Sequence, residues 1–209
     1  MRARPLIIAV DGPAASGKGT IARALAAHYG LPHLDTGLLY RAVGLGVARA
    51  GADVADAEAA ARVAAALPDA LPEDPELRSE RASGLASIVS AQPQVRALLM
   101  DRQRAFAARP GGAVIDGRDI GTVIVPDATV KLFVTASARE RARRRWRELG
   151  GDYAAILAAI EARDARDAGR TTAPLRQAED AALLDTSNLG IEDAIRRALS
   201  LVEARIARG

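Results

Sequence analysis

Residues 12 to 20 read Gly12-Pro13-Ala14-Ala15-Ser16-Gly17-Lys18-Gly19-Thr20. The G-x4-G-K spacing suits one task, the binding of phosphate. Glycines let the backbone curl so that successive N–H groups point at a single anion. A helix opening there adds its partial positive charge. Lys18 supplies a mobile point charge for the β- and γ-phosphates of a nucleotide such as ATP. The loop departs from the common pattern at one position. The slot after the lysine, where Ser or Thr ordinarily ligates Mg²⁺, holds Gly19, and Thr20 follows. Whether Mg²⁺ is held directly, by Thr20, or through water is therefore open. Three further clusters pair carboxylates with guanidiniums. They are Asp35-Thr36-Gly37 ahead of Tyr40-Arg41, the run Asp116-Gly117-Arg118-Asp119-Ile120-Gly121-Thr122, and Arg163-Asp164-Ala165-Arg166-Asp167-Ala168-Gly169-Arg170. Taken singly, these read as turns and solvated ion pairs of little energetic weight. Beside a phosphate loop, that reading is harder to sustain for all three together.

The surrounding elements fit such a site. Pro5 to Val10 is a short apolar, β-branched run ending at Asp11-Gly12, which reads as a buried parallel strand. Thr20 to Tyr29 has helical spacing and stops at Gly30. Strand, glycine loop and helix form the context a phosphate loop needs. Further helices are predicted over Leu38 to Ala50, Ala55 to Leu67, Glu76 to Ala108 with a new start at Pro93, Ala138 to Glu148, Tyr153 to Ala168, and Ile191 to Ala207. The last is expected to bury Ile191, Ile195, Leu199 and Val202. Further strands are predicted at Ala113 to Ile115, Val130 to Val134 and Ala182 to Leu184. Short apolar strands alternating with helices imply an α/β fold with a parallel sheet. Asp11-Gly12, Asp116-Gly117 and Asp185-Thr186 each follow a strand. They are expected to converge at the carboxyl ends, where such sheets bind ligands.

Composition narrows the class. Of 209 residues, 49% are hydrophobic and 3% aromatic, so the chain is globular with an aliphatic core. The absence of cysteine excludes disulfides, zinc–thiolate sites and a Cys nucleophile. Met1 to Pro5 carries two arginines, but the apolar run that follows is broken by Asp11 and Gly12. It is neither a signal peptide nor a membrane span. A monomeric cytoplasmic protein with no membrane partner is expected. The net charge of +3 admits a nucleic-acid binder. Scarce aromatics and the lack of an RNA-binding signature argue against one. Only two lysines occur, Lys18 and Lys131, and the other strong bases are all arginine. A lysine retained inside the glycine loop is thus a sharper signal than it would be in a lysine-rich chain.

With these blocks in view, the sequence resembles bacterial cytidylate kinases over nearly its whole length. The resemblance rests on D-G-P-x-x-S-G-K-G-T from Asp11, L-D-T-G-x-x-Y-R from Leu34, D-G-R-D-I-G-T-V-I-V-P-D-A from Asp116, R-D-x-R-D-x-x-R from Arg163 with Ala173-Pro174-Leu175 after it, and L-D-T-S from Leu184. The G-K-G-T ending is similar to that of nucleoside monophosphate kinases, and D-G-R-D-x-G-T is the most specific block. The resemblance implies a P-loop fold with a parallel five-stranded sheet flanked by helices, and ATP- and Mg²⁺-dependent phosphorylation of CMP and dCMP. It implies that Lys18, Arg118, Arg144 and Arg170 are catalytic, and that Arg41, Arg118 and Arg170 grip the acceptor phosphate. Arg163 and Asp167 would meet the ribose. Ser87, Arg96 and Asp119 would read the cytosine edge, a carboxylate or hydroxyl accepting from the 4-amino group and an arginine donating to O2 and N3. Asp35, Thr36 and Tyr40 would line the same pocket, with Asp35 near the metal as the alternative to Thr20, directly or through water.

The resemblance further implies one domain over 1–209, with a monophosphate-binding insert at 55–92 and an arginine-rich helical lid at 137–171. Six arginines crowd the first lid helix, at positions 139, 141, 143, 144, 145 and 147, so some must face solvent; Arg144 is the expected functional one. Family inserts usually contain a small antiparallel sheet. Here Leu67 to Pro75 holds three prolines and no alternating pattern, so a shortened insert of helices and a proline loop is expected. A kinase for UMP or another small acceptor is the alternative.

Overall fold

A computed structural model describes residues 5–170 and 172–208. The N-terminal arginines Arg2 and Arg4, and Thr171 at the end of the expected lid, lie outside the described residues. The elements run β1 (Leu6–Asp11), α1 (Lys18–Tyr29), β2 (His33–Asp35), α2 (Thr36–Arg49), α3 (Ala57–Ala65), a 3-10 turn (Pro75–Arg78), α4 (Glu80–Val89) and α5 (Pro93–Ala107). They continue with β3 (Gly112–Gly117), a π-helical turn (Ile120–Ile124), β4 (Val130–Thr135), α6 (Ala138–Leu149), α7 (Tyr153–Ala168), β5 (Ala182–Asp185) and α8 (Ile191–Ile206). Contacts divide the chain into two compact units, Met1–Leu34 with Phe106–Gly209, and Asp35–Ala105.

The five strands form one parallel sheet in the order β2-β3-β1-β4-β5. β1 lies between β3 and β4, with Asp11 opposite Gly117 on one side and Phe133 on the other. The chain leaves β1 toward β2 and later leaves β3 toward β4. The strand order therefore reverses at β1, and the loop after it sits at the point where doubly wound sheets bind ligands. The aliphatic strands fill the core. Ile8, Val10, Val114, Leu132 and Val134 are buried against Ile21 and Leu25 of α1 on one element and Ala198 and Val202 of α8 on another.

α8 differs from expectation. Its buried stripe is Ala194, Ala198 and Val202, with Ile195 and Leu199 partly buried at the flank, whereas Ile191 is 70% exposed. Small alanines let the helix close on the sheet, and the isoleucine that opens the helix is left on the solvent side. β2 was not anticipated. It is three residues long, too short to show a period.

In the unit Asp35–Ala105, Leu45, Leu77 and Ala82 form a small core with Leu38, Ala42 and Leu85 packed on it. Pro93 opens α5, as proline in a first helical turn should. The expected insert segment, 55–92, contains helices and no strand among its residues. Arg102 orders the proline loop by donating to the carbonyls of Leu67, Pro68 and Asp69.

Candidate functional site

The loop after β1 is built around backbone that approaches too closely for side chains. A Cβ on Gly12 would lie 2.0 Å from the Val134 carbonyl oxygen, so only glycine fits. Ala15 holds a left-handed φ of 59°, a conformation that costs a non-glycine residue free energy and that clusters at functional sites. Gly17 caps α1 without any side-chain hydrogen bond, and the first turn carries no acidic residue. The helix N-terminus is thus left open for an anion. Ser16 is fully buried with its hydroxyl lacking a hydrogen-bond partner. Lys18 Nζ folds back to donate to the Pro13 carbonyl at 3.3 Å. Phosphate oxygens are the natural partners for such a set of donors.

Two arginines of α6 reach this loop. Arg144 donates to both the hydroxyl and the carbonyl of Thr186, and its Nη1 lies 3.8 Å from the point where a Gly17 Cβ would be. The buried Thr186 Oγ1 in turn lies 3.0 Å from the Ser16 carbonyl. Arg141 is only 4% exposed. It donates to Ala14 O of the loop at 3.2 Å, to Ala136 O at 2.8 Å, and to both oxygens of Asp164 on α7. Arg139, Arg143 and Arg147 face solvent, as the crowding of the run required.

The neighbouring strand end carries the second cluster. Asp116 is buried next to the last residue of β3, and its Oδ1 lies 2.7 Å from His33 Nε2. Its Oδ2 faces the glycine loop, 3.8 Å from where a Gly19 Cβ would be. Beyond it, Arg118 and Asp119 lead into the π-helical turn, a rare conformation found mostly at functional sites. Asp119 is 6% exposed. Arg118 Nε donates to Asp167 at 2.9 Å, Arg170 Nη2 to the same carboxylate at 2.6 Å, and Arg163 Nε lies 3.9 Å away. Two of the arginines expected at the acceptor phosphate, Arg118 and Arg170, and the one expected at the ribose, Arg163, therefore converge on Asp167. Burial pushes the Asp167 carboxyl up, but Arg118, Arg170 and Arg163 together outweigh it and hold it below the ordinary range. At the end of β1, the buried Asp11 accepts from the N–H groups of Ile120 and Gly121.

The remaining predicted residues lie in the unit Asp35–Ala105. Asp35 stands at the N-cap position of α2 without a side-chain capping hydrogen bond, Thr36 and Tyr40 are buried on α2, and Arg41 Nη1 donates to the Leu77 carbonyl. Ser87 on α4 and Arg96 on α5 are both buried.

Among the described residues, no group of three or more His, Asp and Glu side chains could hold a metal ion. The donors at hand are hard oxygens: Thr20 Oγ1 in the first turn of α1, and the Asp116 carboxylate, whose Oδ2 lies 3.8 Å from where a Gly19 Cβ would be. This set fits Mg²⁺, which is ordinarily held by one or two protein oxygens, with phosphates and water filling its shell. Sequence reasoning did not assign Asp11, Asp116, Arg141 or Thr186. Asp11, Asp116 and Thr186 stood in motifs at strand ends, a signal that could have nominated them, whereas Arg141 was hidden among like neighbours.

A family model described as Cytidylate kinase matches residues 8–204. A cytidylate kinase of Rhodopseudomonas palustris (strain BisA53) is 57% identical over 204 residues, covering 95% of this chain and 97% of that protein. One of Azorhizobium caulinodans is 58% identical over 210 aligned positions, covering 98% and 100%. Among solved structures, TT1252 from Thermus thermophilus superposes with a TM-score of 0.51 at 26% identity, covering 97% of this chain and 98% of that one. A gluconokinase from Sinorhizobium meliloti 1021 gives 0.54 at 15% identity over 98% and 96%, a likeness of fold alone.

Proposed function

The chain belongs to the cytidylate kinase family of nucleoside monophosphate phosphotransferases, and from that premise we propose that it transfers the terminal phosphoryl group of ATP, with Mg²⁺, to CMP and dCMP. The observation that carries this reading is the pairing of two anion sites at adjacent strand ends. One is the open glycine loop with Lys18. The other is the arginine cluster gathered on Asp167. One phosphate site suits a nucleotide-binding protein; two, with guanidinium forks at the second, suit transfer between phosphates.

Each residue then has a task. The loop N–H groups and Lys18 hold the donor phosphates. Arg144, beside Gly17, lies where charge spreads over the transferring oxygens. Arg118, Arg170 and Arg41 grip the acceptor phosphate, while Arg163 and Asp167 meet the ribose, Asp167 also keeping the guanidiniums in place. Asp119, Ser87 and Arg96 read the base, with Asp35, Thr36 and Tyr40 beside them. Thr20 with Asp116, or alternatively Asp35, would hold Mg²⁺, directly or through water, and the bound ion would neutralise phosphate charge. Transfer is in line and needs no covalent enzyme intermediate, since positioning and electrostatics suffice. Helices α6 and α7 act as a lid that excludes water.

An ADP-release assay with Mg-ATP against CMP, dCMP, UMP, AMP, GMP and no acceptor tests this. Turnover with CMP and dCMP far above the others is expected. Equal turnover with UMP would overturn the base-reading roles, and no turnover with any of them would overturn the acceptor class.

A further inference from the structure

The end of β1 buries a carboxylate to which the reaction as read so far gives no task. Asp11 is 5% exposed. Its Oδ1 accepts from Ile120 N–H at 2.8 Å and its Oδ2 from Gly121 N–H at 2.7 Å. Both donors belong to the first residues of the π-helical turn, directly after Arg118 and Asp119. The other end of that turn is fixed to Asp119 as well, because Val123 and Ile124 donate to the Asp119 carbonyl at 2.9 and 3.1 Å. The backbone of Asp119 is thus gripped from one side by the turn and from the other by Asp11. Gly121 makes the approach feasible. A Cβ there would lie 3.4 Å from Asp11 Oδ2 and 3.0 Å from the Lys131 side chain that packs beneath it.

We propose that Asp11 is a positioning residue for the acceptor: through the backbone of Ile120 and Gly121 it sets the orientation of Asp119 toward the base and of Arg118 toward the acceptor phosphate. The inference rests on the cytidylate kinase reading. The chemistry of the contact requires a carboxylate. Two N–H groups point at two oxygens, and asparagine would meet one of them with its own NH2. The ion is also kept at a cost. Burial pushes the Asp11 carboxyl up to about 7, against the Gly121 and Ile120 N–H groups that pull it down; Asp119 adds to the rise and Lys18 opposes it. A neutral amide would avoid that cost while still accepting one of the two N–H groups. A group that breaks the local rule for stability is expected where function uses it.

The test is Asp11→Asn in the full chain, with CMP and Mg-ATP varied separately. The KM for CMP is expected to rise at least about tenfold, the order that slight misplacement of a contact produces, with the KM for Mg-ATP held within about twofold. An equal rise in both constants, or no change in either, would overturn the proposal. Should the variant fail to fold, the wild-type protein supplies a second measurement. The amide resonances of Ile120 and Gly121, which donate to Asp11, are expected to shift on saturation with CMP because the turn they open follows Asp119; amide shifts unmoved by CMP would overturn the proposal. A wild-type enzyme inactive toward CMP removes the reading on which this rests, whereas an active wild type with an unchanged Asp11→Asn variant removes this inference alone.

Discussion

Asp167→Asn removes one charge from the centre of the arginine cluster and leaves its shape. Asp167 is 1% exposed, and the side chains of Arg170 and Arg118 that donate to it are 9% and 16% exposed. Removing one partner of a buried ion pair costs about 3–5 kcal/mol. Asparagine still accepts one hydrogen bond, so about 3 kcal/mol is expected, which for a chain of this size is a fall of about 6–12 °C in Tm. The pH dependence discriminates this from a packing defect. Arg118, Arg170 and Arg163 outweigh burial and hold the folded-state pKa of Asp167 below its unfolded value. A carboxyl depressed in this way contributes stability that is fully present above the unfolded pKa and is lost as pH falls through the folded one. The gap between wild type and variant should therefore be constant from neutral pH down to about pH 5, and should close only below about pH 4. Inorganic phosphate should stabilise the variant more than the wild type, since it restores the missing anion. Thermal unfolding at stepped pH, with and without phosphate, measures all three. An unchanged Tm at neutral pH, or a gap that persists undiminished into acid, would show that the arginines are not organised by the Asp167 charge.

Two substitutions in the glycine loop separate chemistry from architecture. Lys18→Ala should lower turnover by at least about a hundredfold while leaving Tm within a few degrees, because it removes a transition-state contact from a half-buried side chain; near-normal turnover in steady-state assays would sink the assignment of the loop. Gly12→Ala should lose both activity and stability, because a Cβ 2.0 Å from Val134 O forces the loop and β4 apart by about 1 Å or more. A variant with wild-type Tm in the same unfolding assay would contradict the close approach.

The parts of the fold legible in the sequence were those whose signals are local. The run from Leu6 to Val10 is apolar because both faces of β1 are covered, and α7 begins and ends where Tyr153 and Ala168 were expected to bound it. What escaped depends on contacts distant in sequence. The backbone ahead of β2 is held by Pro32 accepting from Val114 N–H at 2.9 Å, which no pattern in Leu31 to Asp35 encodes. Arg141 and Arg143 are two residues apart on one helix and identical in type. One is buried against Ala14 and Asp164, and the other is exposed on Glu140. Likewise, an acidic residue three or four positions from an arginine marks a solvated pair as readily as it marks Asp167, and burial alone decides between them.

The three strand-end aspartates show how far local signals reach. Each was placed in advance at the carboxyl end of a strand, and the structure puts Asp11, Asp116 and Asp185 at the ends of β1, β3 and β5. Their work differs because the strand register brings each a different partner. Asp185 turns back on its own chain, accepting from the Ser187 N–H and hydroxyl, and so presents Thr186 to Arg144 and the glycine loop. Asp116 meets His33 across the sheet. Asp11, central in the sheet and the most enclosed in backbone donors, holds the turn that carries Asp119. A pattern of short strands each ending in Asp brings the three carboxylates to one edge of the sheet. Which carboxylate meets a histidine, which meets its own chain and which holds a distant backbone turn follows from pairings such as Asp11 with Gly117 and Val10 with Asp116, which are properties of the assembled sheet.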